Sequence, residues 1–317
     1  MAASKGIIQQ LNIVGRCRQY RVGLWQCPTF LFLIMGIIII FAMTATYFIA
    51  DHYASPEIVI LLEAVITAVL FIIGHLIIQG FDGLAKLNSA MSDFISIASH
   101  QLRTPLTHLR WTVELLMEDN SAENANKRLE HLEYIRSNSK RMVMLVNDLL
   151  NVSRIERRSL TLTPANFQIT EIIDTILADF ETTAVAHNIT LAKEIMPNLP
   201  EAFADGNKIH EVVQNLVDNA IRYTLDKGSV TIKTGVKNNR LLIWITDTGV
   251  GIPKDEQNKI FQKFFRSRNA MKYQTEGTGL GLFIARGIVH ASNGQIGFVS
   301  QENHGTTFWF TLPLAKK

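Results

Sequence analysis

The stretch Asn215-Leu216-Val217-Asp218-Asn219-Ala220-Ile221-Arg222-Tyr223 decides how the chain is read. It lies in a segment, Lys208 to Thr224, that reads as a helix and sets Asn215 and Asn219 one turn apart, facing the same way. Side-chain amide oxygens so placed suit Mg2+, a hard cation that keeps most of its waters and bridges phosphates. Outward from this helix the pattern alternates. Upstream, Thr170 to His187 reads as a helix with Thr170 as N-cap, and Ile189 to Ile195 as a strand. Downstream, Ser229 to Val236 and Leu241 to Thr246 read as a hairpin across Lys237-Asn238-Asn239-Arg240, and Gln295 to Ser300 and Thr306 to Leu312 close the sheet. Helices on one face of a mixed sheet make an α+β sandwich.

Three further motifs give that sandwich its chemistry. In Asp247-Thr248-Gly249-Val250-Gly251 a carboxylate ends a strand, where it can accept from an adenine amino group, and Gly249 and Gly251 allow close backbone approach. Gly277-Thr278-Gly279-Leu280-Gly281-Leu282 precedes an apolar helix, which suits phosphates held by backbone N–H groups at a helix N-terminus. Between them, Ile260-Phe261-Gln262-Lys263-Phe264-Phe265-Arg266 lies in an expected lid, Pro253 to Glu276, where Lys263 and Arg266 can neutralise a transferring phosphoryl group.

Ahead of the sandwich stands Ser99-His100-Gln101-Leu102-Arg103-Thr104-Pro105-Leu106. Apolar residues at Leu84, Leu87, Met91, Phe94 and Ala98, then at Leu102, Leu106, Leu109, Val113 and Leu116, form an a/d seam with a stutter from Ala98 to Leu106. His100 is two residues from both Ala98 and Leu102, so at about 100° per residue it turns towards solvent. Pro105 cannot donate to the Gln101 carbonyl, which loosens the helix beside His100, and Thr104 shares the His100 face. A neutral imidazole offers a lone pair competent to take a phosphoryl group. After a polar turn, Glu118 to Ala125, a second helix carries Leu129, Leu132, Ile135, Met142, Val146, Leu149 and Val152. One such hairpin buries little; two copies make a four-helix bundle, so the expectation is a homodimer.

Farther upstream the composition changes. Thr29 to Ala50 holds no charge, and Ile58 to Gln79 is interrupted only by Glu63 and His75. Each is long enough to span a bilayer as a helix. The tail before them carries Lys5, Arg16, Arg18 and Arg21, while the short loop between carries Asp51 and Glu57. The positive-inside rule then places the tail and everything after the second span in the cytoplasm. A cleaved signal peptide is the competing reading of the first run, which is long for an h-region. No ligand-binding domain fits in the loop, so a stimulus must act on the spans, a partner protein or the cytoplasmic part. Glu63, ionisable within a span, is a candidate contact; it also lies close enough to the outer end to reach headgroups. A net charge of +3 gives no case for nucleic acid, and the two cysteines, Cys17 and Cys27, fit neither a metal motif nor a disulfide framework.

Taken in order, these motifs resemble the H, N, G1, F and G2 boxes of the sensor histidine kinases of bacterial two-component signalling, over roughly Gly80 to the C-terminus. The resemblance implies a tail (1–28), a first span (29–50), an extracytoplasmic loop (51–57), a second span (58–79), a dimerisation and phosphotransfer domain (80–157) and an ATP-binding domain (158–317). That last fold is shared with DNA gyrase, a chaperone family and mismatch-repair ATPases. It implies autophosphorylation of His100 from ATP with Mg2+, transfer to an Asp of a separate response regulator, and a place in the bacterial inner membrane amid lipid. Asn219 matches the metal-contacting Asn with Asn215 in support, Arg222 and Tyr223 match positions reaching the nucleotide, and Thr104 matches a residue linked to phosphatase activity. Gln101 departs from the usual acidic residue and cannot be a general base, though it can hold the imidazole tautomer. ATP-hydrolysing relatives carry a Glu where this chain has Asn215, which favours transfer to a side chain over hydrolysis.

Overall fold

The computed structural model describes residues 28–50, 55–118, 125–273 and 277–315. The tail with Cys17 and Cys27, most of the loop between the apolar runs, the polar turn and residues 274–276 of the expected lid lie outside the described residues. The chain forms two compact units that divide between Ile97 and Ala98.

The first unit holds α1 (Pro28–Ala50) and the beginning of α2 (Pro56–Glu118), and both contain stretches long and apolar enough to cross a membrane, Phe30–Phe48 and Pro56–Phe81. Ile37, Phe41, Phe48, Leu61 and Phe71 are exposed, and a helix apolar all round fits lipid rather than water. The helices approach where Gly74 has no side chain: a Cβ there would lie 1.7 Å from the Met35 sulfur. Beside this contact is a groove of about 530 Å³ lined by Ile39, Met43, Ile60, Glu63, Thr67 and Phe71. Glu63 is therefore half-buried along the groove rather than set among lipid-facing side chains. Thr44 and Thr46 return their hydroxyls to carbonyls one turn earlier, whereas the buried Thr67 hydroxyl has no partner among the described residues. His75 is satisfied locally, bonded to Gln79 at 2.8 Å and stacked on Phe71.

The second unit begins with the end of α2, followed by α3 (Ala125–Glu156). Pro105 is buried inside α2 and does not end it. The seam is only partly covered within one chain. Ala98 and Val152 are buried, but Leu106, Val113, Leu129, Leu132 and Val146 are exposed, while Leu145, beside Val146 and not one of the expected positions, is buried. Tyr134 bridges the hairpin to His108 at 3.3 Å.

The sandwich follows: β1 (Ala165–Phe167), α4 (Ile169–Ala186), β2 (Thr190–Glu194), β3 (Ala202–Ala204), α5 (Gly206–Tyr223), β4 (Ser229–Lys237), β5 (Arg240–Asp247), α6 (Arg268–Tyr273), α7 (Gly281–Ala291), β6 (Ile296–Gln301) and β7 (Gly305–Pro313). The main sheet runs β2-β4-β5-β7-β6, with β2 parallel to β4 and the other pairs antiparallel. Period-two alternation sends Leu241, Ile243 and Ile245 of β5 and Phe308, Phe310 and Leu312 of β7 to one face. There they meet Ile209, Val213, Leu216 and Val217 of α5 and Ile284, Ile288 and Val289 of α7, all buried. The β4–β5 turn is made by Asn238 and Asn239, both at positive φ, as a tight hairpin requires.

Two local expectations need correction. Thr170 is not the N-cap of α4; Gln168 holds that position and makes no side-chain cap bond, because the helix begins one residue earlier on the buried Ile169. The small sheet of β1 and β3 has no counterpart in the sequence reading, since three-residue strands carry too little periodicity to register.

Candidate functional site

A cleft of about 1260 Å³ opens between α3 and the sandwich, and His100, Gln101 and Thr104 line it together with Asn215, Asn219, Arg222, Tyr223, Asp247 and Gly251. Its remaining wall includes Arg266, Gly277, Thr278, Gly279 and Gly281. Three expected site residues, Lys263, Gly249 and Leu280, lie outside that lining.

Asp247 is the last inward-facing residue of β5, so the same alternation that builds the core carries a carboxylate to the floor of the cleft. Its Oδ1 accepts N–H bonds from Gly249 at 2.8 Å and Thr306 at 3.1 Å. Its other oxygen has no protein donor among the described residues. Burial pushes this carboxyl up to about 6, against the pull of those two N–H donors. Gly249 lies beneath the cleft: a Cβ there would fall 2.1 Å from the Tyr223 carbonyl, so only glycine lets the loop close onto α5.

At the opposite end, Gly277 to Leu280 lead into the first turn of α7. Gly279 has φ +68°, and a Cβ on it would meet the Phe264 backbone at 2.7 Å. Gly281 faces α5: its Cβ would lie 3.0 Å from Asn215 Oδ1. The amide side chain of Asn215 thus abuts the N-terminus of α7, where backbone N–H groups are free of intrahelical partners. Leu280 is fully buried and serves the core, with its N–H donated to Thr278 Oγ1 at 3.2 Å.

The basic residues divide. Arg266 lines the cleft beside Gly277, its guanidinium 3.8 Å from where a Cβ there would lie. Arg222 is held by Asp218 at 2.7 Å. Lys263 is ion-paired to Glu156 of α3 and stands over the Phe283 ring, so in this arrangement it grips the bundle helix instead of facing the cleft.

On α2, His100 and Thr104 are exposed and Gln101 is half-buried. The Thr104 hydroxyl donates to the His100 carbonyl at 3.3 Å, which keeps it on the His100 face. The sequence reading missed the α3 wall. Asp148 of α3 accepts from Thr278 Oγ1 at 3.3 Å, and Asn151 donates to Glu211 of α5 at 2.7 Å. Lys208 reaches the same Glu211 at 2.8 Å, and Ile155 packs where Gly287 of α7 has no side chain. Desolvation raises Asp148 to about 6; the Thr278 bond opposes the shift and nearby Glu211 adds to it.

Residues 90–158 match the family model described as the His kinase A phospho-acceptor domain. Residues 204–316 match the histidine kinase-, DNA gyrase B- and HSP90-like ATPase. Among curated proteins, the sensor histidine kinase WalK of Bacillus subtilis is 36% identical over 234 residues, 72% of this chain and 37% of that protein. Drug sensory protein A of Synechocystis is 33% identical over 72% of this chain and 35% of its own length. The chain thus spans little more than a third of the length of these relatives. Among solved structures, the full-length ShkA kinase in complex with AMPPNP aligns with TM-score 0.54 and 26% identity over 71% of this chain and 46% of that one. The Acinetobacter baumannii histidine kinase AdeS shares the fold, with TM-score 0.56 and 23% identity over 68% of this chain and 98% of that one. With a phospho-acceptor helix and an ATPase sandwich facing one cleft, and with these relatives, the chain belongs to the sensor histidine kinases of bacterial two-component systems.

Proposed function

We propose that this chain is a protein-histidine kinase that moves the γ-phosphoryl group of ATP to His100 and from there to an aspartate of a separate response regulator. The single observation that carries the reading is the cleft itself, which His100 lines together with Asp247 and the glycine cradle. The donor set fits a nucleotide: Asp247 presents a carboxylate oxygen to an adenine amino group, and Gly277, Gly279 and Gly281 line the cleft ahead of and at the start of α7, where backbone N–H groups suit phosphates. Arg222, Tyr223 and Arg266 line the space between, and Thr278 adds a hydroxyl at the cradle.

Asn219 and Asn215 would hold Mg2+ through amide oxygens. Among the described residues no group of three or more His, Cys, Asp or Glu is placed to hold a metal, so the phosphates would complete its shell. When bound, Mg2+ neutralises phosphate charge. His100 supplies the attacking nitrogen from an exposed face of α2, with Gln101 half-buried beside it as a hydrogen-bond partner. Thr104, exposed and anchored to the His100 carbonyl, supports a second activity, removal of phosphate from the regulator, by giving a hydroxyl that can orient water.

The exposed apolar seam of α2 and α3 supports homodimerisation through a four-helix bundle. The apolar stretches in α1 and α2 support a hairpin through the inner membrane with tail and kinase part in the cytoplasm. On this reading the tail is 1–28, the spans are 29–50 and 58–79 with the loop 51–57 between them, the bundle is 80–157 and the ATP-binding part is 158–317.

Incubation with γ-labelled ATP and Mg2+ tests the reading. Acid-labile, alkali-stable label is expected in the wild type and is absent from His100→Ala. Label retained in that variant overturns it.

A further inference from the structure

Asp148 faces the phosphate cradle from α3 and has no part in the function as proposed above. Its Oδ2 accepts from the Thr278 hydroxyl, inside the loop that leads into α7 and suits phosphates. One turn along the same helix face, Asn151 bonds Glu211, which also takes Lys208. Farther along, Glu156 holds Lys263, and Ile155 fills the space at Gly287. These contacts dock α3 onto α5, α7 and the segment before α6. The docked wall brings two carboxylates, Asp148 and Glu211, to a cleft fitted for phosphate. Charged groups that line the cleft with Asp148 include Glu211, Lys208 and Arg222 of α5, Arg266 ahead of the cradle, and Arg141 and Arg154 on α3, and of these Glu211 adds to the rise of the Asp148 carboxyl.

We infer that Asp148 makes docking of α3 sensitive to the charge of the nucleotide, so that a triphosphate opposes the docked arrangement more than a diphosphate does. The hydrogen bond to Thr278 and the carboxylate charge do different work. The bond clasps the cradle loop to α3; the charge repels whatever anion the cradle holds. Burial of the carboxyl, which raises it to about 6, accords with a group ill-placed for a second negative charge nearby. ATP carries one more negative charge than ADP, on its terminal phosphate, and the cradle that Asp148 touches through Thr278 is the part of the cleft suited to phosphates. The inference rests on the reading of the cleft as a nucleotide site.

The two parts separate by substitution. Asp148→Asn keeps an acceptor for Thr278 and removes the charge; Asp148→Ala removes both. The test uses the full chain in nanodiscs with Mg2+ present, His100→Ala to prevent phosphoryl transfer, and Cys17 and Cys27 replaced by serine. Equilibrium affinities for ATP and ADP are measured, and docking is read from disulfide formation between Ile155→Cys and Gly287→Cys. In the parent, ATP slows cross-linking more than ADP does. Asp148→Asn cross-links as the parent does without nucleotide, loses the difference between ATP and ADP, and gains about tenfold in ATP affinity with a much smaller gain for ADP. Asp148→Ala loses cross-linking. An unchanged ratio of ATP to ADP affinity in Asp148→Asn overturns the inference and leaves the nucleotide site standing. Failure of the parent to bind either nucleotide overturns both.

Discussion

Burial holds the Asp247 carboxyl up to about 6, against an ordinary value of 3.8, and the sign of the consequence is definite. Below 3.8 the side chain is neutral in folded and unfolded chains alike. Between 3.8 and about 6 the unfolded chain gives up the proton first, and above about 6 the folded state carries the whole penalty, about 3 kcal/mol. Asp247→Asn keeps an acceptor for the Gly249 and Thr306 N–H groups and removes that penalty. The urea midpoint at pH 8 is therefore expected to hold or rise, while at pH 4 it scarcely changes. Nucleotide affinity falls about ten- to a hundredfold, because an amide N–H then faces the adenine donor. In the unsubstituted protein nucleotide affinity weakens as pH drops through about 6, which a calorimetric pH series checks. Gly279→Ala is a second residue-scale case. Its φ of +68° and the Phe264 backbone at 2.7 Å leave no room for a methyl group, so the cradle distorts and ATP affinity drops by about tenfold or more in direct titration.

At the scale of elements, α5 begins on Asp205, which accepts from the Lys208 N–H at 3.2 Å and ties Thr163 through both its N–H and its hydroxyl at 3.0 Å. Burial alone would raise this carboxyl; the bonds from Thr163, Lys208 and Asn207 outweigh it and hold it below its ordinary value. Its contribution is thus present above 3.8 and is lost as pH falls through the folded value. Asp205→Ala is expected to lose about 1 kcal/mol at pH 7, as removal of a cap does, and the gap from wild type closes in acid. A pair of urea titrations at the two pH values checks it. Elements of this kind were legible where local pattern and burial agree. The Asn238-Asn239 turn, the strands beside it and the α5 helix follow from alternation and turn chemistry. The start of α4 did not, because a buried isoleucine, not a polar cap, sets it. Lys263 shows a related limit: a motif position says that a cation is near the lid, not that it pairs with Glu156.

For the whole molecule, the residues invisible to sequence reading are those whose partners are far away in the chain. Asp148 and Thr278 are 130 residues apart, and Asn151 and Glu211 are 60 apart, so no spacing or period announces them. The exposed seam was legible, because its repeat is local. Leu132→Glu puts a charge on that seam and is expected to turn a dimer into a monomer by sedimentation in detergent, with ADP affinity unchanged. The Asp247 end of the cleft is fixed to β5 and β7, strands paired along nearly their full length, while the cradle end is built from a loop that α3 clasps. A compound that imitates only the purine ring therefore meets the same rigid slot whichever way the kinase is folded on itself. Such an inhibitor gains nothing from, and loses nothing to, the signalling state, whereas one carrying an acidic tail would select the released form.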